Sequence, residues 1–249
     1  MSISSRRKWI TTAAASVAGT AVAAKLAARY GLIPPDHGGL YGPGATLTYA
    51  THRLLTANSL AREYPRSAIS PAPFANGTPL KLDAYLQLKN DGFRDWRLHI
   101  DGLVERPSSY SLDELKALPA RSQITQLICE EGWSFIAEWT GAPLAHLLQL
   151  SGVRSQATFV VYRSFESDWW DSLDMAEALH PQTLVTHTMN GAPLPAGHGG
   201  PLRMRVPRQL GYKSVKYLNR ITVTDDITKF GKGLGSPAPE FSYSWYAGI

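Results

Sequence analysis

Proline and glycine interrupt this chain too often for long helices. Its 249 residues include 17 prolines and 21 glycines, spread along the length. Each one marks a turn, a cap or a break in a regular backbone. The sequence therefore predicts short strands and short helices joined by many turns. With 44% apolar residues, the chain has enough material to bury a real core, as one large domain or two closely packed ones.

The local patterns agree. Trp96 to Pro107 alternates apolar and polar residues before a turn, which predicts a strand. Ser111 to Pro119 predicts a short helix, with Ser111 as N-cap, Glu114 completing a capping box and Pro119 as the stop. Arg121 to Gly132 is strand-like again. Pro143 to Val153 predicts an amphipathic helix with proline at its start and glycine at its end. Ala157 to Phe165 reads as a buried strand, Ser172 to Pro181 as another capped helix, and Thr183 to Pro195 as a strand running into an Asn-Gly turn. Pro201 to Asp225 supplies one or two more strands. Residues 31–80, rich in Gly and Pro, read as an extended arm over the surface. No repeat or heptad is present. The fold class is α+β, with mixed sheets, short helices and many loops, and residues 81–249 form the main domain.

The N-terminus reads as a targeting segment over residues 1–30. "SSRRKWI" (Ser4 to Ile10) carries an arginine pair, and a mild apolar stretch follows from Ile10 to Ala24. That stretch is too short and too rich in Ala, Thr and Gly for a comfortable membrane span. Ala21 to Ala23 offers a small-x-small cleavage site. This order predicts a twin-arginine signal and hence export of a folded protein, often one loaded with a cofactor beforehand. The segment holds five basic residues and no acid, so its removal takes the formal charge from +5 to zero. A nucleic-acid partner then loses its main electrostatic support, and none is expected.

Two features point to chemistry. Cys129, in "QLICEEGWSFIAEWTG", is the only cysteine. In an exported chain it cannot form an internal disulfide. It is a buried small hydrophobe, a partner in a disulfide between molecules, a metal ligand, or a nucleophile with His146, His187 or His198 as base. The second feature is a stretch from Ala178 to Thr224 without a single acid, carrying Arg203, Arg205, Arg208, Lys213, Lys216 and Arg220. In "RMRV" the arginines alternate with apolar residues, so they leave one face of a strand while Met204 and Val206 enter the core. "GHGGPLR" and "LGYKSVK" are glycine-bearing loops whose amides and cations suit a phosphate or other oxyanion. The same stretch also reads as a solvated basic face.

A soft thiolate suits a redox metal, and a basic glycine-rich pocket suits a phosphorylated cofactor. In this combination the sequence resembles the sulfite-oxidase-fold molybdopterin-dependent oxidoreductases, in their exported, haem-free branch that includes bacterial protein-methionine-sulfoxide reductase catalytic subunits. The motifs that carry the resemblance are "CEEGWSFIAEWTGAPLAHLL" and "MNGAPLPAGHGGPLRMRVPRQLGYKSVKYL", and it covers roughly residues 46 to 249.

The resemblance implies a molybdenum–molybdopterin cofactor with Cys129 as the metal's thiolate ligand. It places Ser164 against the pterin, and His198 and Arg203 on the pterin and its phosphate. Gly211, Tyr212, Lys213, Ser214 and Lys216 would wrap that phosphate. "LAREYP" resembles the segment that brings an arginine to the metal, which makes Arg62 a candidate for steering an oxyanion substrate, with Glu63 and Tyr64 beside it. One departure stands out. Sulfite oxidases have a tyrosine three residues before a serine in the strand-to-helix loop, whereas here Trp169 precedes Ser172. An indole donates a hydrogen bond but does not hand over a proton as a phenol does, so Trp169 becomes a wall of a substrate funnel or a plain core aromatic.

The implied activity is oxygen-atom transfer to or from a small S- or N-oxide-type substrate. With no haem or iron–sulfur ligands in the chain, electrons would pass through a membrane cytochrome b or a soluble cytochrome c. The alternatives are a metal-free binding or structural domain that retains the fold, and a cysteine hydrolase.

Overall fold

The computed structural model of the protein describes Ala27, residues 31–165 and residues 169–249. The arginine pair and the cleavage-like site of the N-terminal segment lie outside the described residues.

Two five-stranded sheets organise the chain. The first runs β2 (Ser108–Ser111), β1 (Arg97–Gly102), β10 (Leu218–Thr224), β5 (Phe159–Ser164), β6 (Trp170–Asp174). It is mixed, because β1 pairs parallel to β10 while the other pairs are antiparallel. The second sheet runs β3 (Arg121–Ile128), β4 (Ser134–Pro143), β7 (Leu184–Met189), β8 (Ala192–Pro193), with β9 (Arg203–Arg205) also on β7. This sheet is antiparallel throughout. The Asn-Gly turn is present between β7 and β8, with Asn190 at φ 52° and Gly191 at φ 77°, the left-handed pair that a tight hairpin requires.

The helices are short. α1 (Gly42–Leu55) buries Ala45 and Tyr49 on one face. α2 spans Asp83–Asn90. α3 (Leu112–Ala117) carries the full capping box, with the Glu114 amide donating to Ser111 Oγ and the Ser111 amide donating to the Glu114 carboxylate. α4 (Leu144–Ser151) buries Leu144, Leu147, Leu148 and Ser151, the spacing of one helical face, and ends at left-handed Gly152. α5 is Met175–Ala178.

Three expectations change. Within the presumed extended arm, residues 42–55 are the longest described helix, because Pro43 sits in the first turn, where its missing N–H costs nothing. Residues 172–174 belong to β6, fully buried and paired with β5, so the following helix is capped by Asp174 instead of Ser172. Arg203 and Arg205 do leave one face of β9, but that face is buried like the other.

The main core joins both sheets through residues such as Trp96, Leu98, Val160, Leu173, Val185 and Ile221. A second cluster of Leu127, Phe135, Trp139 and Met189 underlies the β3–β4 hairpin. Gly141 accounts for the glycine in the "WTGAPL" part of the first motif. A Cβ there would lie 2.0 Å from the Val185 carbonyl oxygen, so only glycine lets β4 approach β7 at its register shift.

Candidate functional site

Cys129 reaches its position by strand periodicity. Gln123, Thr125 and Leu127 of β3 point inward on alternate residues, and Cys129 continues that face one step beyond the strand. The hairpin then closes. The Cys129 amide donates to the Trp133 carbonyl at 2.9 Å, and Gly132 turns with φ 91°. The thiol faces a cavity of about 610 Å³. Its Sγ–H donates to a Glu130 carboxylate oxygen at 3.3 Å, with a Glu131 oxygen at 3.7 Å. Burial, first of all, and then the Glu130 side chain push the thiol up to about 12. Such a thiol is no nucleophile at neutral pH; it becomes a ligand by losing its proton as a metal binds. Among the described residues the thiol's hydrogen bonds run to Glu130 and Glu131 and none to a histidine, which does not support the paired base that a cysteine hydrolase needs.

Most of the anticipated residues converge on this cavity. Ser164 arrives at the end of β5, and its amide donates to the Trp169 carbonyl at 2.9 Å. His198, from a single 3-10 turn, packs edge-on against Phe135. Burial, aided by Arg203 and Lys216, lowers its pKa to about 4, so the ring is neutral at pH 7. Arg203 lines the cavity and braces its own loops, donating from Nη1 to the His198 carbonyl at 3.1 Å and from Nε to the Ser214 carbonyl at 2.9 Å. Gly211, Tyr212, Ser214 and Lys216 line the same wall. A Cβ on Gly211 would sit 3.0 Å from Leu127, so glycine lets this loop press against the end of β3 beside Cys129. Lys216 Nζ donates to the Asn76 carbonyl at 2.6 Å and the Gly197 carbonyl at 2.7 Å, tying the loops together. Trp169, 37% exposed, stands at the rim.

Four expected residues lie elsewhere. Lys213 is fully buried behind the loop, where Nζ pairs with Asp171, donates to the Ser172 carbonyl at 2.8 Å and sits 5.0 Å from the Trp245 ring centre. In the Gly211–Lys213 turn its side chain points to the core while its neighbours face the cavity. Arg62, Glu63 and Tyr64 do not line the cavity. Their segment lies along β3 at Ile124 and Thr125, before the strand reaches Cys129. Arg62 is turned onto the Tyr64 ring, and Tyr64 donates to Gln126.

The cavity also has walls that motif reading missed. Asn76 comes from an Asn-Gly turn, a signal that marks a loop but not its destination. It donates to Glu131 at 3.2 Å, and Trp133 Nε1 donates to the same carboxylate at 2.8 Å. Phe74 packs on Trp133, and Phe241 and Tyr243 enter from the C-terminal segment. The rim is therefore aromatic and acidic, while the floor is basic.

The residues fit a pterin cofactor. Arg203 is buried, and no carboxylate among the described residues pairs with it. A buried guanidinium in that state calls for an anion. Among the described residues no group of three or more His, Cys, Asp or Glu is placed to hold a metal. A single protein thiolate matches a metal whose other donors come with an organic ligand.

A thiol and a buried cationic floor facing one cavity, on two sheets of this topology, define an oxidoreductase of the sulfite-oxidase fold. The oxidoreductase molybdopterin binding domain matches residues 85–229, and the chain belongs to that family. A putative protein-methionine-sulfoxide reductase subunit YedZ1 from Azospira oryzae is 37% identical over 198 residues, 78% of this chain and 70% of that protein. The protein-methionine-sulfoxide reductase catalytic subunit MsrP of Xanthomonas campestris is 38% identical over 162 residues, 59% of this chain. The chain spans 50% of the length of that subunit. The sulfane dehydrogenase SoxCD of Paracoccus pantotrophus shares the fold, with a TM-score of 0.54 at 22% identity over 68% of this chain and 46% of that one.

Proposed function

We propose that this chain binds a molybdenum–molybdopterin centre through Cys129 and reduces a neutral sulfoxide or N-oxide. When bound, that group supplies the two-electron chemistry of oxygen-atom transfer. For a sulfoxide the balance is R₂S=O + 2 e⁻ + 2 H⁺ → R₂S + H₂O. The electrons come from a separate redox protein, a membrane cytochrome b or a soluble cytochrome c, and the chain works in the periplasm after twin-arginine export. The relatives named as methionine-sulfoxide reductase subunits support the choice of a sulfoxide.

One observation carries the reading: a buried thiol and a buried guanidinium, the latter with no carboxylate partner among the described residues, face the same cavity. The protein's own groups then divide the work. Arg203, Ser214 and Lys216 supply cations and amides for the phosphate end. Phe135 and Leu127 keep the thiol side dry. Glu130 and Glu131 stand beside the thiol, where their negative charge repels an incoming oxyanion such as sulfite and tolerates a neutral oxide. Phe74, Trp133 and Trp169 give the entrance an apolar surface for a thioether chain. The exposed Arg62 lies outside this arrangement, and this reading gives it no part in steering substrate.

The test is metal and pterin analysis of protein purified from a molybdenum-competent host, followed by dye-coupled turnover of sulfite, sulfoxides and N-oxides. About one equivalent of molybdenum, lost in Cys129→Ser with the fold intact, is expected. Sulfoxide reduction should exceed sulfite oxidation by at least about a hundredfold. Less than about a tenth of an equivalent in the wild type, or sulfite as the better substrate, would overturn the proposal.

A further inference from the structure

Arg205 is fully buried, 0% exposed, on the inner face of β9. Its Nη2 donates to the Gln126 carbonyl at 2.7 Å and to Thr125 Oγ1 at 3.1 Å. Nε and Nη1 have no hydrogen-bond partner among the described residues. No carboxylate among them pairs with it either; the aromatic face it meets is Trp139, whose ring centre lies 5.3 Å from its guanidinium carbon. Arg203 sits 5.6 Å from the same ring. Two guanidiniums thus share one indole in the core, with no acid between them. Burial, and then Arg203, hold the Arg205 pKa down at about 9, a sign of how poorly its charge is compensated.

Arginine is almost never buried without an anion, and two unmet donors add to the cost. A Met or Leu in this place would pack on Trp139 without that penalty. Arg205 does not line the cavity, so it makes no direct contact there. It stands one layer behind Arg203, which does, and it grips β3 at residues 125 and 126, just upstream of Cys129.

Resting on the pterin reading above, we propose that Arg205 is a positioning residue for the anionic cofactor. Its charge keeps the cavity floor positive from behind Arg203, and its Nη2 fixes the end of the strand that presents Cys129. The empty protein is less stable for it, and the filled protein recovers the loss.

This predicts opposite signs for the two states. Arg205→Met in protein made without pterin should melt at the same temperature as the wild type or higher. The loaded variant should release pterin at least about tenfold faster on dilution, read by fluorescence of the oxidised pterin. Arg205→Lys, a compact cation that loses its proton more readily when buried and cannot stack on Trp139 as a guanidinium does, should hold pterin less well than the wild type but better than Arg205→Met. Should the wild type take up no pterin, the cofactor reading falls and this inference with it. Should the wild type load and Arg205→Met retain pterin equally well, the inference alone falls. An empty Arg205→Met that melts more than about 4 °C below the wild type, or does not fold, would show a merely structural arginine and also overturn it.

Discussion

Lys213 and Arg203 come from the same acid-free stretch and meet opposite fates. Arg203 faces the cavity, whereas Lys213 turns inward to Asp171, with both members of that pair almost completely buried. Residue type placed both in a basic cluster; only the turn geometry decides which side each faces. Removing one member of a buried pair leaves the other charge stranded, at about 3–5 kcal/mol. Lys213→Met should therefore cost that much in chemical denaturation, and Lys213→Met with Asp171→Leu should restore most of it. A single variant as stable as the wild type would mean the pair is not formed. His180 gives the pH counterpart. Its pKa falls to about 4 through burial, and then through Arg208, with the Gln182 amide donating to Nδ1 at 3.3 Å. A folded pKa below the unfolded value of about 6.5 means that the unfolded chain binds the extra proton first. Stability is thus lost as pH falls from about 6.5 toward 4, by about 2 kcal/mol between pH 6.5 and pH 5. His180→Gln should be less stable than the wild type at pH 7, and the gap should narrow by roughly that amount at pH 5. A gap that stays constant would show that His180 does not titrate in this way.

At the scale of elements, the β3–β4 hairpin and the His198 loop make the site. Gly199 adopts φ 97°, and a Cβ there would come within 2.6 Å of Lys216 Cβ and 2.7 Å of its Cα. Gly199→Ala thus combines backbone strain with a collision against the opposite cavity wall. It should cost at least about 2 kcal/mol and lower pterin content severalfold, seen together in thermal melts and pterin assays. Normal content would show that the Lys216 loop can yield without loss. Glycines in "GHGG" were legible as places of close approach, but the approaching group is Lys216, not a ligand. The period of two in β3 was also legible, and it alone brings Cys129 to the cavity. The capping box fixed α3. By contrast, α1 was hidden by Gly42, Pro43 and Gly44, which punctuate most sequences but here start a helix. Residues 172–174 have a capped-helix pattern, yet pairing with β5 turns them into strand, a tertiary choice that local pattern does not record. The position of "LAREYP" was unreadable for the same reason, since its course depends on which part of β3 it meets.

Across the whole molecule, the two ends of the described chain are tied to each other and to the stretch just before Gly211. The Trp245 amide donates to Asp36 in the N-terminal arm at 2.7 Å, and its indole N–H donates to Ser172 at 2.8 Å. Its ring packs edge-on against Tyr49 of α1 and Phe159 of β5. The backbone beyond it ties to the stretch before the Gly211–Lys216 loop: the Leu210 amide donates to the Ala247 carbonyl at 2.9 Å, and the Ile249 amide to the Arg208 carbonyl at 3.0 Å. Nearby, Arg53 of α1 pairs with Asp174 and Glu177. The tail is therefore a structural part of the Gly211–Lys216 wall, and Phe241 and Tyr243 of the same segment line the cavity. Trp245→Ala should cost about 3–5 kcal/mol, the usual loss for a buried aromatic. Because that tail braces the loop, pterin content should fall with it even under conditions where the fold persists. Tyr243, 41% exposed and stacked on Tyr212, serves as the control: Tyr243→Ala should cost less than about 1.5 kcal/mol. Denaturation curves and pterin content measured on both variants separate the two roles. Full pterin content in a destabilised but folded Trp245→Ala would show that the tail holds the fold together without shaping the site.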